Sequence, residues 1–211
     1  MKKILACLSM LAILNANGQV RDTKAEQLLN DLSNKTKSYT SIRAEFTYSM
    51  ENAKAGVSEE KSGTLLVSGE RYRMNAAGQL VICDGTTIWT YFKDANEVQI
   101  NSTSGNDDVL TPNKLLSSYL ENYKPKIIKN KGQTVSTESV ELIPSKPKNF
   151  TKAILTLDKA KMQIVSFMLF EKNGNIFTYK ITKFQTNLAV SASDFTFDPA
   201  KFPCVEVNDM R

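Results

Sequence analysis

Histidine is absent from the 211 residues of this chain. Imidazole is the commonest general base in enzymes and a frequent zinc ligand, so its absence excludes histidine-dependent catalytic triads and the usual zinc sites. The sequence also lacks a nucleophile-elbow motif and a phosphate-binding glycine motif, since Gly63, Gly69, Gly78 and Gly85 are interpreted as turn glycines. We therefore predict a protein that is not an enzyme and that uses neither a metal nor a cofactor.

Cysteine is scarce as well, with three in the chain, and only Cys83 and Cys204 lie beyond the N-terminal segment. Export from the cytoplasm would allow these two to form a disulfide. Two cysteines so far apart do not fix a pairing, and the alternative is a pair of small, unpaired core residues. The sequence leaves both possibilities open.

Long apolar runs are missing except at the N-terminus, so no membrane-spanning helix is predicted in the rest of the chain. Lys2 and Lys3 precede the apolar segment Ile4–Leu14, and small residues follow at Ala16-Asn17-Gly18. This order is typical of a secretory signal peptide, and the segment is too short to be a retained anchor. We predict an exported protein that is cleaved after Gly18 and forms a single domain over residues 19–211.

A strong excess of one charge is also missing. Removal of residues 1–18 takes away two lysines and no acid, so 27 basic residues fall to 25 against 22 acidic ones, and the net charge falls from +5 to +3. This small, evenly spread excess argues against a nucleic-acid partner. The apolar fraction of 41% is ordinary for a globular domain.

Short strands separated by turns are abundant. The segment Gly63–Phe92 is the densest, and Asp84-Gly85 between apolar runs is a strong hairpin signal. The predicted strands are Ile42–Met50, Thr64–Val67, Arg71–Asn75, Leu80–Cys83, Thr87–Phe92, Glu97–Asn101, Lys126–Asn130, Val135–Ile143, Lys152–Asp158, Gln163–Phe170 and Ile176–Gln185, with a last piece near Cys204–Val207. Tight turns between successive strands predict a mainly β chain of the α+β class. We expect an antiparallel sheet of about ten or eleven strands, and a sheet of this size curls or closes.

Two amphipathic helices accompany the strands. Asp22 is a plausible cap for the first, over residues 22–37, and Thr111-Pro112 opens the second, over Pro112–Leu120. Their apolar stripes are Ala25, Leu28, Leu29 and Leu32 on the first helix and Leu115, Leu116, Tyr119 and Leu120 on the second. An inserted amphipathic helix is usually either a packing element or a lid.

One face of the predicted sheet is lined with aromatic residues, methionine and branched aliphatic residues. Such a face can form a filled core, which periodicity alone favours, or it can hold an apolar ligand under a lid. Two helices are too few to cap a broad sheet on both sides, which favours a ligand. The residues assigned to this face are Phe46, Tyr48, Met50, Leu65, Val67, Tyr72, Met74, Ile82, Val98, Phe167, Leu169, Phe177, Tyr179 and Ile181.

Several short motifs occur in a characteristic order after the exported N-terminus and the first helix. They are Ser41–Thr47 with Phe46, Gly63–Val67, Tyr72-Arg73-Met74, Asp84–Tyr91 with Trp89, Val140–Pro144, Phe195-Thr196-Phe197 and Val207–Arg211. In this order they resemble the periplasmic outer-membrane lipoprotein carrier family of the LolA type. The resemblance spans nearly the whole mature chain.

The resemblance implies an incomplete antiparallel β-barrel with helices over its open side. It also implies a monomeric periplasmic carrier that binds the acyl chains of lipoproteins. An inner-membrane ABC transporter would release these lipoproteins, and an outer-membrane acceptor would receive them. The face residues above, other than Val98, would line the acyl-chain cavity. The lid would comprise Leu28, Leu29, Leu32, Leu115, Leu116 and Tyr119.

The sequence departs from this family at one functional position. Members carry an Arg-Pro pair just after the strand equivalent to Thr64–Val67, and its arginine holds the lid. This chain has Ser68-Gly69-Glu70 there, so Arg71 and Arg73 are the nearest arginines that could take that role.

Three other functions compete with the carrier. A receptor or sensor of lipids or misfolded lipoproteins could use the same fold, and it would usually be anchored. A lipid hydrolase is disfavoured because histidine and a nucleophile-elbow motif are missing. A structural domain with a filled barrel would bind no fatty-acid probe.

Overall fold

The computed structural model describes residues 22–53, 56–104, 123–129 and 133–211. These residues form one α-helix, two short 3₁₀ helices and twelve strands that belong to one sheet. The α-helix is α1 (Thr23–Lys37), and the 3₁₀ helices are Ala192–Phe195 and Pro199–Lys201. The strands are β1 (Ile42–Asn52), β2 (Val57–Ser68), β3 (Arg71–Ala76), β4 (Gln79–Cys83), β5 (Thr87–Phe92), β6 (Glu97–Ser102), β7 (Tyr123–Ile128), β8 (Thr137–Pro144), β9 (Phe150–Asp158), β10 (Gln163–Glu171), β11 (Ile176–Thr186) and β12 (Glu206–Asp209).

The sheet is open, with β12 and β7 as its outer strands. Its order is β12-β6-β5-β4-β3-β2-β1-β11-β10-β9-β8-β7, so two meanders meet where β1 pairs with β11. All neighbours are antiparallel except β12, which pairs in parallel with β6. The prediction of a mainly β fold is therefore confirmed, whereas the prediction of a wholly antiparallel sheet is wrong. A C-terminal strand can reach a distant edge in either direction, because no tight turn fixes its orientation.

Two predicted segments lie outside the described residues. They are the signal peptide of residues 1–18 and the second helix, Pro112–Leu120, which carries the predicted lid residues Leu115, Leu116 and Tyr119. The first helix was predicted over residues 22–37, and α1 begins one residue later, with Asp22 as its N-cap.

The α1 helix packs on one side of the sheet, which we call the helix face. Ala25, Leu29 and Leu32 are fully buried there against an apolar cluster on strands β8, β9 and β10. The members of this cluster on the strands are Val140, Leu142, Ala153, Leu155, Leu157, Ile164 and Phe167. The buried helix residues occur at a helical spacing, and the residues on β8 and β9 alternate along their strands, as expected for a helix on a sheet. On β10, a register irregularity after Ile164 puts Ile164 and Phe167 three residues apart on the same face.

The C-terminal segment covers the opposite side of strands β3–β6, which we call the tail face. Phe197 is buried there with Ile82 and Val98, and Phe202 stacks on Phe197 with ring centroids 4.6 Å apart. The Arg71 guanidinium lies 4.8 Å from the ring centroid of the fully buried Phe195. Each face of the sheet thus has its own apolar cluster and its own cover.

Ile82 and Val98 were predicted on the same face as Tyr72 and Met74, and this prediction is wrong. Ile82 pairs directly with Arg73 and Trp89, and directly opposed residues point to the same side of a sheet. The two-residue turn Ala77-Gly78, with φ of 52° and 79°, fixes this register. A one-residue shift of register moves every side chain of a strand to the other face, so β4 presents Val81 and Cys83 to the helix face instead.

Candidate functional site

An aromatic cluster lies on the helix face where the two meanders meet. Phe46 and Tyr48 of β1 contact Tyr179 of β11, with ring centroids 5.9 Å and 5.1 Å away. Tyr48 also stacks on Phe177 at 6.0 Å, and Phe167 of β10 lies 6.4 Å from Tyr179. These five rings form a continuous aromatic wall across three adjacent strands. We call them the aromatic cluster.

Phe46 lies directly over Gly63, its partner on β2. A Cβ at Gly63 would stand 2.5 Å from Phe46 Cζ and 3.0 Å from the carbonyl oxygen of Asn75. Gly63 was interpreted as a turn glycine, but it lies within β2, which corrects that interpretation. The residue is glycine because an aromatic ring needs the space above the strand, a common reason for glycine in a strand.

A second apolar patch continues the helix face over strands β2–β4. Ile42, Val67, Tyr72 and Cys83 are buried together there, and Leu65 packs against them. Met74 extends the patch as the direct partner of Leu65. Leu65 and Met74 are only partly buried, as are Tyr48, Met50 and Phe177. The helix face therefore presents large apolar side chains that keep some exposed surface.

Both cysteines are free thiols, so the possible Cys83–Cys204 disulfide is not formed. The alternative of two core residues is correct for Cys83, which is 1% exposed, and wrong for Cys204, which is exposed. Burial raises the pKa of the Cys83 thiol, so this cysteine behaves as a small core residue.

Asp22 connects the start of α1 to the edge strand β7. Its Oδ1 accepts a hydrogen bond from the Ala25 N–H at 3.0 Å, and its Oδ2 accepts one from the Ile127 N–H at 2.8 Å. The Ile127 bond, followed by the Ala25 bond, lowers the pKa of Asp22 below 3.8. One carboxylate thus caps the helix and holds it against the sheet, so we call this pair of bonds the Asp22 tether.

The tyrosines of the helix face remain protonated at any physiological pH. Burial raises the pKa of Tyr179 to about 12, with smaller contributions from Tyr48 and Glu171. Burial also raises the pKa of Tyr72 to about 12, and that of Tyr48 in the same direction. These phenols therefore offer neutral hydrogen-bond donors within an apolar surface.

The helix face ends in a charged rim beside the aromatic cluster. On β2, the partners of Tyr48 and Met50 are Lys61 and Glu59, both exposed and 3.2 Å apart. Glu171 accepts a hydrogen bond from the Asn175 side chain at 3.0 Å. These charged residues mark the limit of the apolar surface, and each of them has a hydrogen-bond or ion-pair partner.

Twelve of the thirteen predicted acyl-cavity residues lie on the helix face, as the strand pairings show, and Ile82 is the exception. Leu29 and Leu32 of the predicted lid are buried between α1 and the sheet, and Leu28 packs beside them. Arg71 and Arg73 lie on the tail face, where Arg73 Nη1 donates to the Asp194 carbonyl oxygen at 3.4 Å. They contact the C-terminal segment on the side of the sheet opposite α1, so they lie away from the part of the predicted lid that α1 carries.

Sequence reasoning missed a large part of this face. The residues from β8 and β9 were not assigned to it, although Val140, Leu142, Leu155 and Leu157 alternate with period two. That alternation could have identified these residues as members of the helix face. Within the described ranges, no group of three acidic or cysteine residues is placed to hold a metal ion, and no helix is long and apolar enough to cross a membrane.

Comparisons with known proteins agree with this architecture. The model of the family described as "Outer membrane lipoprotein carrier protein LolA" matches residues 37–198. No curated protein matches the chain. An uncharacterized conserved protein from Thermus thermophilus has the same fold, with a TM-score of 0.59 and 10% identity over 88% of this chain and 99% of that chain.

Two further solved structures are similar at lower scores. A putative outer membrane lipoprotein-sorting protein domain from Vibrio parahaemolyticus has a TM-score of 0.47 and 14% identity over 82% of this chain and 97% of that chain. A LolA superfamily protein from Nitrosomonas europaea has a TM-score of 0.45 and 11% identity over 82% of this chain and 98% of that chain.

Proposed function

The chain belongs to the outer membrane lipoprotein carrier family LolA, and from that premise we propose that it carries lipoproteins by covering their acyl chains with its helix face. The observation that supports this most strongly is the helix face itself. Large apolar side chains there, such as Met50, Leu65 and Phe177, keep exposed surface beside α1. A filled core would leave little such surface on its inner residues.

Loading requires α1 to give way, because it occupies the apolar wall next to the aromatic cluster. Exposure of its buried Leu29 and Leu32, with Ala25 and the partly buried Leu28, costs about 6 kcal/mol at about 2 kcal/mol per large side chain. Each acyl CH₂ transferred from water contributes about 0.8 kcal/mol, so about eight methylenes offset the cost. Long acyl chains can therefore displace α1, and chains much shorter than eight carbons cannot.

The same balance explains release. A closed α1 and a bound acyl chain compete for one surface, so only one of them can occupy it at a time. The binding free energy of the acyl chain elsewhere decides which of the two does. Transfer to an outer-membrane acceptor that binds the chains more tightly lets α1 close again. We propose release of the cargo from an inner-membrane ABC transporter, delivery to the outer membrane, and a soluble monomeric carrier in between.

The proposed setting is the periplasm. The basic start, apolar core and small residues of segment 1–18 favour export and cleavage after Gly18, which leaves residues 19–211 as the carrier domain. The function is binding rather than catalysis, because shielding of acyl chains needs no bond to be made or broken.

A pull-down with acylated and unacylated cargo tests the proposal. The tagged protein is incubated with spheroplasts that export a triacylated lipoprotein or its variant with serine in place of the lipidated cysteine. We expect recovery of the triacylated form alone. Phe177→Gln on the helix face should lower that recovery, and the matched change Val165→Gln, at an exposed position of β10, should not. Equal recovery of both cargo forms would refute acyl binding.

A further inference from the structure

Two tyrosines of the aromatic cluster have hydroxyl groups that packing does not explain. Tyr48 and Tyr179 are direct partners on β1 and β11, with ring centroids 5.1 Å apart. Among the described residues, none forms a hydrogen bond with either hydroxyl. Tyr91 on the tail face behaves in the usual way, since its hydroxyl lies 3.0 Å from Asn96 Oδ1. The Tyr48 and Tyr179 side chains are both partly buried, and within the described residues neither hydroxyl has a protein partner to replace water when a ligand covers it.

Phenylalanine would serve the packing at both positions equally well. The neighbouring rings of the cluster, Phe46, Phe167 and Phe177, pack in the same wall without a hydroxyl. A ligand that covers these two hydroxyls removes them from water, which is unfavourable unless the ligand itself supplies a hydrogen-bond acceptor. The raised pKa of each phenol keeps it a neutral donor.

The position of the pair indicates which part of a ligand it meets. Tyr48 opposes Lys61 on β2, where the apolar surface gives way to the charged rim, and Phe46 and Gly63 lie one step further inside. An acyl chain has a matching boundary, because its hydrocarbon ends at an ester or amide carbonyl. A chain that lies on the aromatic cluster with its head at the rim brings that carbonyl to the tyrosines.

The rim also argues against an anionic head. Lys61 is paired with Glu59, and the Glu171 carboxylate keeps its negative charge because its partner, the Asn175 amide, is neutral. We propose that Tyr48 and Tyr179 donate hydrogen bonds to the ester or amide carbonyl oxygens at the head of the bound acyl chain. This inference rests on the proposed function, and it makes the pair the feature that distinguishes acylated cargo from plain hydrocarbon.

Two lipopeptides test the inference. Both carry the same two hydrocarbon chains on a glyceryl-cysteine head, one through ester bonds and the other through ether bonds that lack the carbonyl oxygens. We expect the wild-type protein to bind the ester form about tenfold more tightly, as two net hydrogen bonds allow. Tyr48→Phe and Tyr179→Phe should each reduce this preference, and the double variant should remove it while its affinity for the ether form stays within about twofold.

Tyr91→Phe is the matched control, because it removes one phenol hydroxyl from the tail face. It should keep the full ester preference. Equal wild-type affinity for the two lipopeptides would overturn the inference, and so would an equal loss of both affinities in the tyrosine variants, which indicates a packing role. In either case the ether form still binds, so the carrier function stands. Failure of both lipopeptides to bind would instead refute the carrier function and the inference together.

Discussion

The Asp22 tether should set how readily α1 opens. Asp22→Ala removes both of its bonds, to the Ala25 N–H at 3.0 Å and to the Ile127 N–H at 2.8 Å. Loss of an N-cap costs about 1 kcal/mol. Loss of the second bond, discounted because the carboxylate is close to solvent, adds about 1 kcal/mol. The closed position of α1 should therefore weaken by about 2 kcal/mol, or about 30-fold in its equilibrium with open forms.

Asp22→Asn separates the two contributions. Asparagine caps helices as well as aspartate does, so the bond to the Ala25 N–H can persist. Its amide has a single acceptor oxygen, so the Ile127 bond is lost. We expect the equilibrium between the closed and open positions of α1 to shift about fivefold toward the open forms. The matched control is Asp84→Ala, because Asp84 Oδ1 also accepts two backbone bonds, from the N–H groups of Thr86 and Thr87, at the turn between β4 and β5, which is outside the cluster under α1.

Two measurements on these variants decide the question. Hydrogen exchange of the α1 amides reports opening, and titration with a long-chain acyl probe reports loading. Asp22→Ala should accelerate exchange in α1 about 30-fold and tighten acyl binding by a similar factor, since less free energy is spent on opening. The lowered pKa of Asp22 means that its carboxylate stabilises closure above pH 3.8 and that this contribution is lost as the pH falls below that value. The difference between wild type and Asp22→Asn should shrink accordingly in acid.

One outcome would refute this reasoning. If Asp22→Ala accelerates exchange in α1 and leaves acyl affinity unchanged, then α1 is not displaced by the ligand. The proposed competition between α1 and the acyl chain would then be wrong, although the Asp22 tether would still hold α1 in its closed position.

Three further predictions concern the packing of the helix face and the state of the two cysteines. Gly63→Ala places a Cβ 2.5 Å from Phe46 Cζ and should lower the free energy of unfolding by about 1–3 kcal/mol in urea titrations. Combination with Phe46→Leu should cost less than the sum of the single changes, and strict additivity would contradict the close contact. Tyr72 and Tyr179 have pKa values raised from 10.0 to about 12, so the folded state holds their protons more tightly, and stability should fall as the pH rises from 10 to 12. Tyr72→Phe should reduce that loss, and an unchanged alkaline slope would argue against its burial. In a thiol-labelling assay of the native protein, Cys204 should react at once and Cys83 only after unfolding, whereas protection of both would indicate a disulfide.

Local patterns predicted the parts of this fold that local forces determine. The apolar stripe and cap predicted α1 within one residue, and turn glycines predicted the strands from β3 to β5. The register of β4 was harder to predict, because the side chains that face each side of the sheet depend on the number of residues in the turn at Ala77-Gly78. The sequence carried no signal for that choice beyond the turn itself.

Such local patterns could not predict the contacts between residues far apart in the sequence. Asp22 was identified as a cap, but its second bond joins it to Ile127, 105 residues away. The Phe195-Thr196-Phe197 motif was noticed, but its packing against Ile82 on the tail face depends on the path of the C-terminal segment. Arg71 and Arg73 were placed at the lid because they are near Ser68 in sequence, whereas alternation along β3 turns them toward Phe195 and Asp194.

The most direct test of the account asks where an acyl chain lies on the protein. A lipopeptide with a diazirine within its hydrocarbon is bound and irradiated, and the modified peptides are identified by mass spectrometry. We expect adducts on segments 44–50, 63–74, 140–157 and 167–181, which carry the aromatic cluster, its neighbours and the apolar wall that α1 covers when closed. Adducts on Trp89 and residues 195–205 of the tail face, with the helix face unlabelled, would contradict the account.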